Sequence, residues 1–461
     1  MDLVAVLDVG KTNVKLSAFA PDHSVPWRRA MPNAPRRGGP YDAVDVGAIW
    51  NFLLDGLAAM AREGTVADVI ATTHGCAFAA LGPDMPGDAD ADNDVDVDAD
   101  GLVLPVMDYE WPGVRAHDAS YDALRPPFAE TGSPALPMGL NGGRQLHFLM
   151  REHPDAWRQV RAVLPLPQYF AWRLCAVAAS DVSSLGCHSD LWAPHEGTPS
   201  SLARRLGLDR LLAPLHRADA VLGAMRPALA ARLGLAAPPR VRVGMHDSNA
   251  SLAPYLDAGA PMALASTGTW AIVFAVGGEK VALDERRDCL LNIDVNGTPV
   301  PSARAMLGRE FALVAGEGAE AALEDAARVV AADALLAPSF VPGVGPFPDQ
   351  AGGGTEHPAL ATPSARHAAA SLYAALTLRT MLALTGARGP VVLDGPLAAD
   401  PIVAPALATL VERPVRLGAA DASEGCARLV RGAGPPPACE VAPDPRLAAL
   451  RRRAERWPGS G

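Results

Sequence analysis

Residues 3–7 form an unbroken apolar run that stops at Asp8 and Gly10, the pattern of a buried strand ending in a polar turn. From Val46 onward the apolar residues Val46, Ile49, Trp50, Leu53, Leu57 and Met60 recur at helical spacing, and a second strand-like run follows at 69–73. Further runs at 77–81, 103–106, 241–244 and 263–275 predict strands, and 366–385 predicts a long helix before a strand at 391–393. Strand and helix alternate, which predicts α/β layers.

Two stretches fall outside that alternation. Residues 82–101 are an Asp and Ala repeat too polar to bury a core, so a mobile loop is expected. Asp96, Asp98, Asp100 and Gly101 imitate the start of a calcium loop, but position twelve is Met107 rather than Glu. The tail from Gly432, rich in Pro and then Arg, predicts loose packing over the surface.

Composition narrows the function. With 461 residues, 49% of them hydrophobic, the chain can build more than one core, and two large domains are expected. Lys and Arg number 40 against 51 Asp and Glu, a net charge of -11 that argues against a nucleic-acid binder. Eight of those acids, from Asp84 to Asp100, sit in the one loop, so the acidity is largely local. Six cysteines without a C-x-x-C pair predict reduced, buried thiols. No stretch reaches the roughly 18 apolar residues of a membrane span and the start has no basic leader, so no membrane association and a cytoplasmic location are expected.

The chemistry-bearing residues gather at turns. In D-V-G-K-T-N-V-K (8–15) a glycine turn is flanked by Asp8, Lys11, Thr12, Asn13 and Lys15, residue types suited to a phosphate and a metal. It is not a Walker A loop, because Ala5 stands where the first glycine belongs and a strand-like run follows. A hairpin with solvated polar tips is the competing reading, although two of the chain's three lysines lie here. A second small-polar turn, Ser266 to Thr269, interrupts an apolar run, and alone reads as a hairpin. In V-G-M-H-D-S-N (243–249) a strand end delivers His246 and Asp247 to a helix start, where an N-cap without chemistry is the alternative. His74 on an apolar strand reads more readily as a satisfied core histidine than as a ligand. Cys187 beside His188 imitates a thiol and base, yet adjacent strand residues face opposite ways. No G-x-S-x-G elbow points to a hydrolase.

As an ordered series these motifs resemble the FGGY carbohydrate kinases of the actin-like ATPase superfamily, most nearly the branch with L-rhamnulose and L-fuculose kinases. D-V-G-K-T-N-V-K is similar to the first phosphate loop, T-H-G (73–75) to the sugar-contacting turn, and P-Q-Y-F-A-W-R-L (167–174) to a family helix. G-M-H-D (244–247) is similar to the segment with the catalytic aspartate, and S-T-G-T-W (266–270) to the second phosphate loop. The resemblance implies an α/β fold of two actin-like (ribonuclease H-like) domains, 1–244 and 245–461, with a cleft between them. It implies an ATP-dependent kinase that uses Mg²⁺ and phosphorylates a primary hydroxyl of a ketose, such as L-rhamnulose or L-fuculose. Asp247 would be the base, and Asp8 would hold the metal. Lys11, Thr12, Asn13, Lys15, Thr269 and Gly395 would bind nucleotide and phosphate, and His74, Gly75 and His246 the sugar. A kinase of another pentulose or polyol, or a sugar or nucleotide sensor without transfer, remains an alternative, and a homodimer is compatible with the resemblance.

Two departures stand out. The family's adenosine region carries a glycine triplet, whereas here Asp394, Gly395 and Pro396 follow the strand, which removes flexibility and a backbone donor. Arg304 lies near where the L-rhamnulose kinase pattern places a sugar-contacting Asn.

If the acidic loop carries no specific ion, replacing residues 88–98 with a few Gly and Ser should leave melting temperature and turnover nearly unchanged. A calcium-dependent rise in stability that vanishes with the deletion would show a bound ion instead.

Overall fold

The computed structural model of the chain describes residues 1–83, 99–316, 318, 320–418 and 421–457. The calcium-like spacing and nearly all of the acidic loop lie outside the described residues. At the loop's base, the Gly82 amide donates to the Gly101 carbonyl (3.0 Å).

The chain forms two compact units. The first comprises Met1–Pro254, Leu291–Pro299 and Ala422–Gly434, and the second comprises Tyr255–Leu290, Val300–Asp421 and Pro435–Gly461. The sequence places the division after Gly244, whereas the first unit runs to Pro254 and takes back two later segments. The reason is local, since the strand after Gly244 joins the first sheet and the helix beyond it packs on a helix of the 422–434 segment.

In the first unit lie β1 (Asp2–Val9), β2 (Asn13–Phe19), β3 (Trp27–Pro32) and β4 (Thr65–Thr73). A small sheet of β5 (Phe78–Leu81), β6 (Leu102–Leu104) and β7 (Ala162–Pro165) and a ribbon of β8 (Trp192–Ala193) and β9 (Thr198–Pro199) follow. The main sheet, completed by β10 (Val221–Ala224), β11 (Arg240–Arg242) and β12 (Met245–His246), has the order β10-β11-β4-β1-β2-β3, with β12 also on β4. β1 is buried from Leu3 onward because strands flank it on both edges and protein covers both faces, which is why its sequence is a continuous apolar run. Helix α1 (Val46–Met60) starts where Asp45 accepts the Ala48 amide (3.0 Å), and its apolar stripe enters the core beneath this sheet. Helix α2 (Leu166–Cys175), the family-like P-Q-Y-F-A-W-R-L segment, lies in the same core.

In the second unit the run at 263–275 folds as a hairpin of β13 (Met262–Thr267) and β14 (Ala271–Val276). With β16 (Pro299–Ala305), β17 (Val391–Asp394), β18 (Val415–Leu417) and β19 (Cys439–Val441), and with β15 (Cys289–Ile293), whose residues from Leu291 are assigned to the first unit, it makes the order β15-β16-β14-β13-β17-β18-β19. The inner part repeats the first sheet. β3-β2-β1-β4-β11 and β16-β14-β13-β17-β18 share both order and strand directions, an antiparallel hairpin followed by two parallel strands. This is the α/β architecture of two like domains that the motif series implies.

Four helices matter to the later argument: α3 (Asp247–Leu252), α4 (Leu307–Ala315), α5 (Pro363–Leu384) and α6 (Val403–Val411). The long helix expected at 366–385 begins earlier, because Thr362 caps the Ala365 amide (3.2 Å) and Pro363 takes the first helical position. Helix α7 (Ala422–Arg431) belongs to the first unit. No helix among the described residues is long and apolar enough to cross a membrane.

The tail is a correction. It does not lie loosely: β19 pairs with β18, and helix α8 (Ala449–Ala454) follows. Leu447, Leu450, Ala454 and Trp457 are buried in the second core. Their helical spacing is legible in hindsight behind the arginines that dominate the composition. Five cysteines are buried as expected, but Cys439 is exposed on the edge strand.

Trp457 donates its indole N–H to the Leu336 carbonyl (2.8 Å) and packs edge-on against Phe347 (5.0 Å between centroids) and Tyr373 (6.0 Å). Trp457→Ala should therefore cost about 3–5 kcal/mol in urea unfolding. A cost near zero would return the tail to the surface.

Candidate functional site

In the first unit the strand ladders bring the predicted residues to one end of the sheet. β1 and β12 both run parallel to β4, so Asp8 stands opposite Thr72, and His246 opposite Thr73. The carboxyl ends of these strands therefore present Asp8, His74, Gly75, His246 and Asp247 together, the place where open α/β sheets hold ligands. The His74 amide donates to the Val9 carbonyl (2.8 Å), which continues the alignment past the last ladder pair.

The first polar turn is a hairpin, as its alternative reading foresaw, and it is braced. The Gly10 amide donates to the Asn13 carbonyl (2.9 Å), and Asn33 donates through its side chain to the Gly10 carbonyl (2.7 Å). Thr12 and Asn13 stand exposed, their side chains joined at 3.2 Å. The two lysines are not idle tips. Lys15 Nζ lies 3.7 Å from Asp8 Oδ2, which also accepts the Ser423 hydroxyl from the start of α7 (3.2 Å). Lys11 forms an ion pair with Asp108, reaches Glu110 at 3.3 Å and lies over the Tyr109 ring at 4.8 Å.

Asp247 is the first residue of α3, and its side chain does not act as the cap of that helix. Two donors converge on its Oδ1, the Ser248 amide (2.6 Å) and the Ser248 hydroxyl (3.3 Å), and His246 Nε2 lies 3.2 Å from the same oxygen. Among the described residues no donor reaches Oδ2. The surrounding protein pushes the Asp247 pKa above the usual carboxylate value, opposed by His74, the Ser248 donors and Lys15.

His246 is buried, and burial lowers its pKa to about 4, so it is neutral at pH 7. Its Nε2 also faces Cys187 Sγ at 3.4 Å, while Nδ1 is buried with no hydrogen-bond partner. Burial also lowers the His74 pKa, and its Nδ1 lies 3.0 Å from the Gly75 carbonyl. Gly75 is there for space: a Cβ would come 3.0 Å from both Cys187 Sγ and His246 Nε2.

Cys187 and His188 are not on a strand, so the argument from opposite strand faces does not apply to them. Cys187 pairs with His246 instead, and His188 Nδ1 lies 3.0 Å from Cys76 Sγ.

In the second unit the same strand-end logic joins the other two motifs. β13 runs parallel to β17 with Ser266 opposite Asp394, so the 268–270 turn and Gly395 share one end of that sheet. Thr267 accepts the Leu397 amide on its hydroxyl (3.2 Å) and donates that hydroxyl to the Asp394 carbonyl (2.5 Å). Gly395 has φ +86°, and a Cβ there would fall 1.8 Å from the Thr267 carbonyl oxygen, so only glycine fits. Thr269 is exposed at the turn. Arg304 is spoken for by Asp288 (3.1 and 3.2 Å) and stacks over Trp270 at 4.7 Å.

Asp108, Tyr109, Glu110 and Ser423 were missed in the sequence. The M-D-Y-E turn after a strand-like run was a usable signal, but Ser423 is 415 positions from Asp8 and had none. For Mg²⁺ the donor chemistry fits only in part: among the described residues no three His, Cys, Asp or Glu side chains are placed to hold a metal ion together. Asp8 alone suits an ion that keeps its waters and takes its remaining ligands from phosphates.

The buried neutral histidines make stability pH-dependent. A group with its folded pKa depressed contributes stability above its unfolded value of 6.5, lost as pH falls toward 4. His246→Asn should flatten the fall of melting temperature between pH 6.5 and 4 relative to the native chain. Equal slopes would mean that His246 titrates as it does when unfolded.

Residues 259–437 match the family described as carbohydrate kinase FGGY, C-terminal domain. Among solved structures, a carbohydrate kinase from Novosphingobium aromaticivorans is 35% identical, covers 99% of this chain and 98% of its own, and has a TM-score of 0.88. A xylulose kinase from Lactobacillus acidophilus (13% identity, 98% and 96% covered, TM-score 0.75) and a Plasmodium falciparum glycerol kinase solved with ADP (10%, 99% and 97%, TM-score 0.77) share the fold. No match was found among curated protein sequences. The similar structures carry the names of xylulose, gluconate and glycerol kinases, which single out no substrate and do not support the L-rhamnulose and L-fuculose branch. The chain belongs to the FGGY carbohydrate kinase family and is a carbohydrate kinase.

Proposed function

We propose that the enzyme transfers the γ-phosphoryl group of ATP, with Mg²⁺, to a primary hydroxyl of a ketose, and that its ketose is a deoxy-sugar of the L-rhamnulose or L-fuculose kind. The observation that carries the transfer chemistry is the asymmetry of the Asp247 carboxylate. The Ser248 amide and hydroxyl fix Oδ1, and Oδ2 is left to accept the proton of a sugar hydroxyl. As that proton moves to Oδ2, the hydroxyl oxygen bonds to the γ-phosphorus and the bond to the β-phosphate oxygen breaks, releasing ADP. Little covalent work falls to the protein, so the remaining residues position groups and neutralise charge.

Gly75, His246 and His74 are the sugar-side residues of this reading, His246 being neutral at pH 7 and therefore able both to donate and to accept hydrogen bonds. Lys11, Thr12, Asn13 and Lys15 take the phosphates in the first unit, and Thr269 and Gly395 approach the nucleotide in the second. Mg²⁺, which neutralises phosphate charge when bound, falls to Asp8. The domain roles follow: sugar and first phosphate loop before residue 245, second phosphate loop and adenosine region after it. Kinase action on another pentulose or a polyol is the second reading, favoured by the xylulose and glycerol kinases among the fold's relatives.

Substrate class is tested by ATP consumption with Mg²⁺ across deoxy-ketoses, other ketuloses and polyols. Fastest turnover on L-rhamnulose or L-fuculose supports the reading, and turnover only on a pentulose or polyol selects the second. Turnover on none removes the kinase proposal in favour of a sensor.

Asp247→Asn keeps an oxygen for the Ser248 donors and removes the proton acceptor. Turnover should fall by roughly 10²–10⁴ with sugar binding by calorimetry retained. Because burial raises the carboxyl pKa, ionised Asp247 costs stability above that pKa, so the variant should melt no lower than the native chain at pH 7. Near-normal turnover in the folded variant would take Asp247 out of the mechanism.

A further inference from the structure

The second unit carries a pocket of about 410 Å³ far from its nucleotide turns. Glu279 follows β14, whose last residue Val276 pairs with Met262 at the start of β13, while Arg388 precedes β17 and Arg413 precedes β18. The pocket therefore opens at the amino ends of the parallel strands, whereas Thr269 and Gly395 stand at their carboxyl ends. Arg379 on α5, Arg388 and Arg413 line it against Glu279, over an apolar floor that includes Leu382 and Leu410.

The walls are built rather than loose. The Glu279 amide donates to the Gly386 carbonyl (2.8 Å), and a Cβ on Gly278 would come 2.5 Å from that same oxygen. Arg413 donates through Nη1 to the Ala387 and Gly389 carbonyls (2.8 and 3.4 Å), which fixes its guanidinium while Nε and Nη2 are not engaged there. Among the described residues Arg379 donates to the Ala454 carbonyl alone, at 3.4 Å. Arg388 pairs with Glu279 at the exposed rim. Among the described residues neither Arg379 nor Arg413 has a carboxylate partner. Burial and the nearby Arg388 charge both lower the Arg413 pKa, so the cluster is held together against its own repulsion. Three guanidiniums facing one carboxylate are unusual in a chain of net charge -11.

We infer that this pocket binds the phosphate monoester of a small sugar, the guanidiniums taking the phosphate oxygens and the Leu382 and Leu410 floor taking the sugar's C–H face. Fork-shaped guanidinium donors match phosphate geometry, and the volume exceeds what a bare phosphate fills. Such a ligand belongs to the chemical class that a carbohydrate kinase makes, so the pocket would let sugar phosphate act on the enzyme away from the reacting groups. The inference does not rest on which sugar is phosphorylated or on the role of Asp247.

The test is calorimetry on the full chain at low salt, with fructose 1-phosphate and inorganic phosphate as probes. Native protein should bind fructose 1-phosphate saturably and more tightly than phosphate, with affinity falling as salt rises. Arg388→Gln with Arg413→Gln should weaken binding at least tenfold. Glu279→Gln, which removes the competing carboxylate, should tighten it severalfold, an effect that a merely structural role for these residues would not produce. Should the double variant fail to fold because the loop carbonyls lose Arg413, Arg388→Gln alone carries the test, since its side chain is mostly exposed, and a severalfold loss is expected. Unchanged affinity in Arg388→Gln and Glu279→Gln, or no saturable binding by native protein, overturns the site. Equal affinity for both probes overturns the assignment to a sugar ester.

Discussion

The parallel register of β1 and β12 on β4 is the constraint from which the first unit's chemistry follows. It sets Asp8 opposite Thr72 and His246 opposite Thr73, so three stretches of chain separated by tens to hundreds of residues end at one level. A one-residue slip would turn each side chain to the other face and scatter the group. The register is anchored electrostatically at the far end of the sheet, where buried Asp68 on β4 receives Arg240 (2.7 and 3.0 Å) and Arg242 (2.7 Å) from β11. Neutralising that carboxylate from a neighbouring strand ties β11, and with it the approach to His246, to β4.

The same strand arrangement recurs in the second unit with different residues at its tip. In the first, the strand ends hold acids, lysines and histidines, and in the second they hold hydroxyls, glycines and the single carboxylate of Asp394. A cluster of charges at one tip and close backbone approach at the other follow from one topology used twice. Gly395 shows how tight the second version is, because the Thr267 carbonyl occupies the volume that any side chain would need. One glycine in place of the family's triplet is sufficient for this close approach, since the contact that demands it is made at a single position.

Much of this was legible in the sequence because the informative residues sit at strand ends, where an apolar run must give way to polar side chains. The Asp8 turn, the Thr267 turn and the His246–Asp247 pair are each visible as interruptions of hydrophobic pattern. What sequence could not supply was pairing across distance. Nothing near Lys11 announces Asp108 and Glu110, and nothing near Asp8 announces Ser423, because those contacts exist only once the sheets are assembled. The tail was misjudged for a different reason: its arginines set the composition, whereas its few apolar residues at helical spacing set its position. The first unit runs past Gly244 because β12 pairs with β4 and α3 packs beside it.

The ion pairs of the first turn bear on how a phosphate could use it. Lys11 already lies between Asp108, Glu110 and the face of Tyr109, and Lys15 already lies near Asp8. In the role proposed for it, Lys11 would exchange carboxylate partners for phosphate oxygens rather than meet them as a bare cation. Such an exchange gains only the difference between two attractions, so it adds less affinity than an unpaired lysine would. It adds discrimination instead. In that role a ligand with several negative charges would compete with Asp108 and Glu110 for Lys11, whereas a neutral sugar would leave both ion pairs in place.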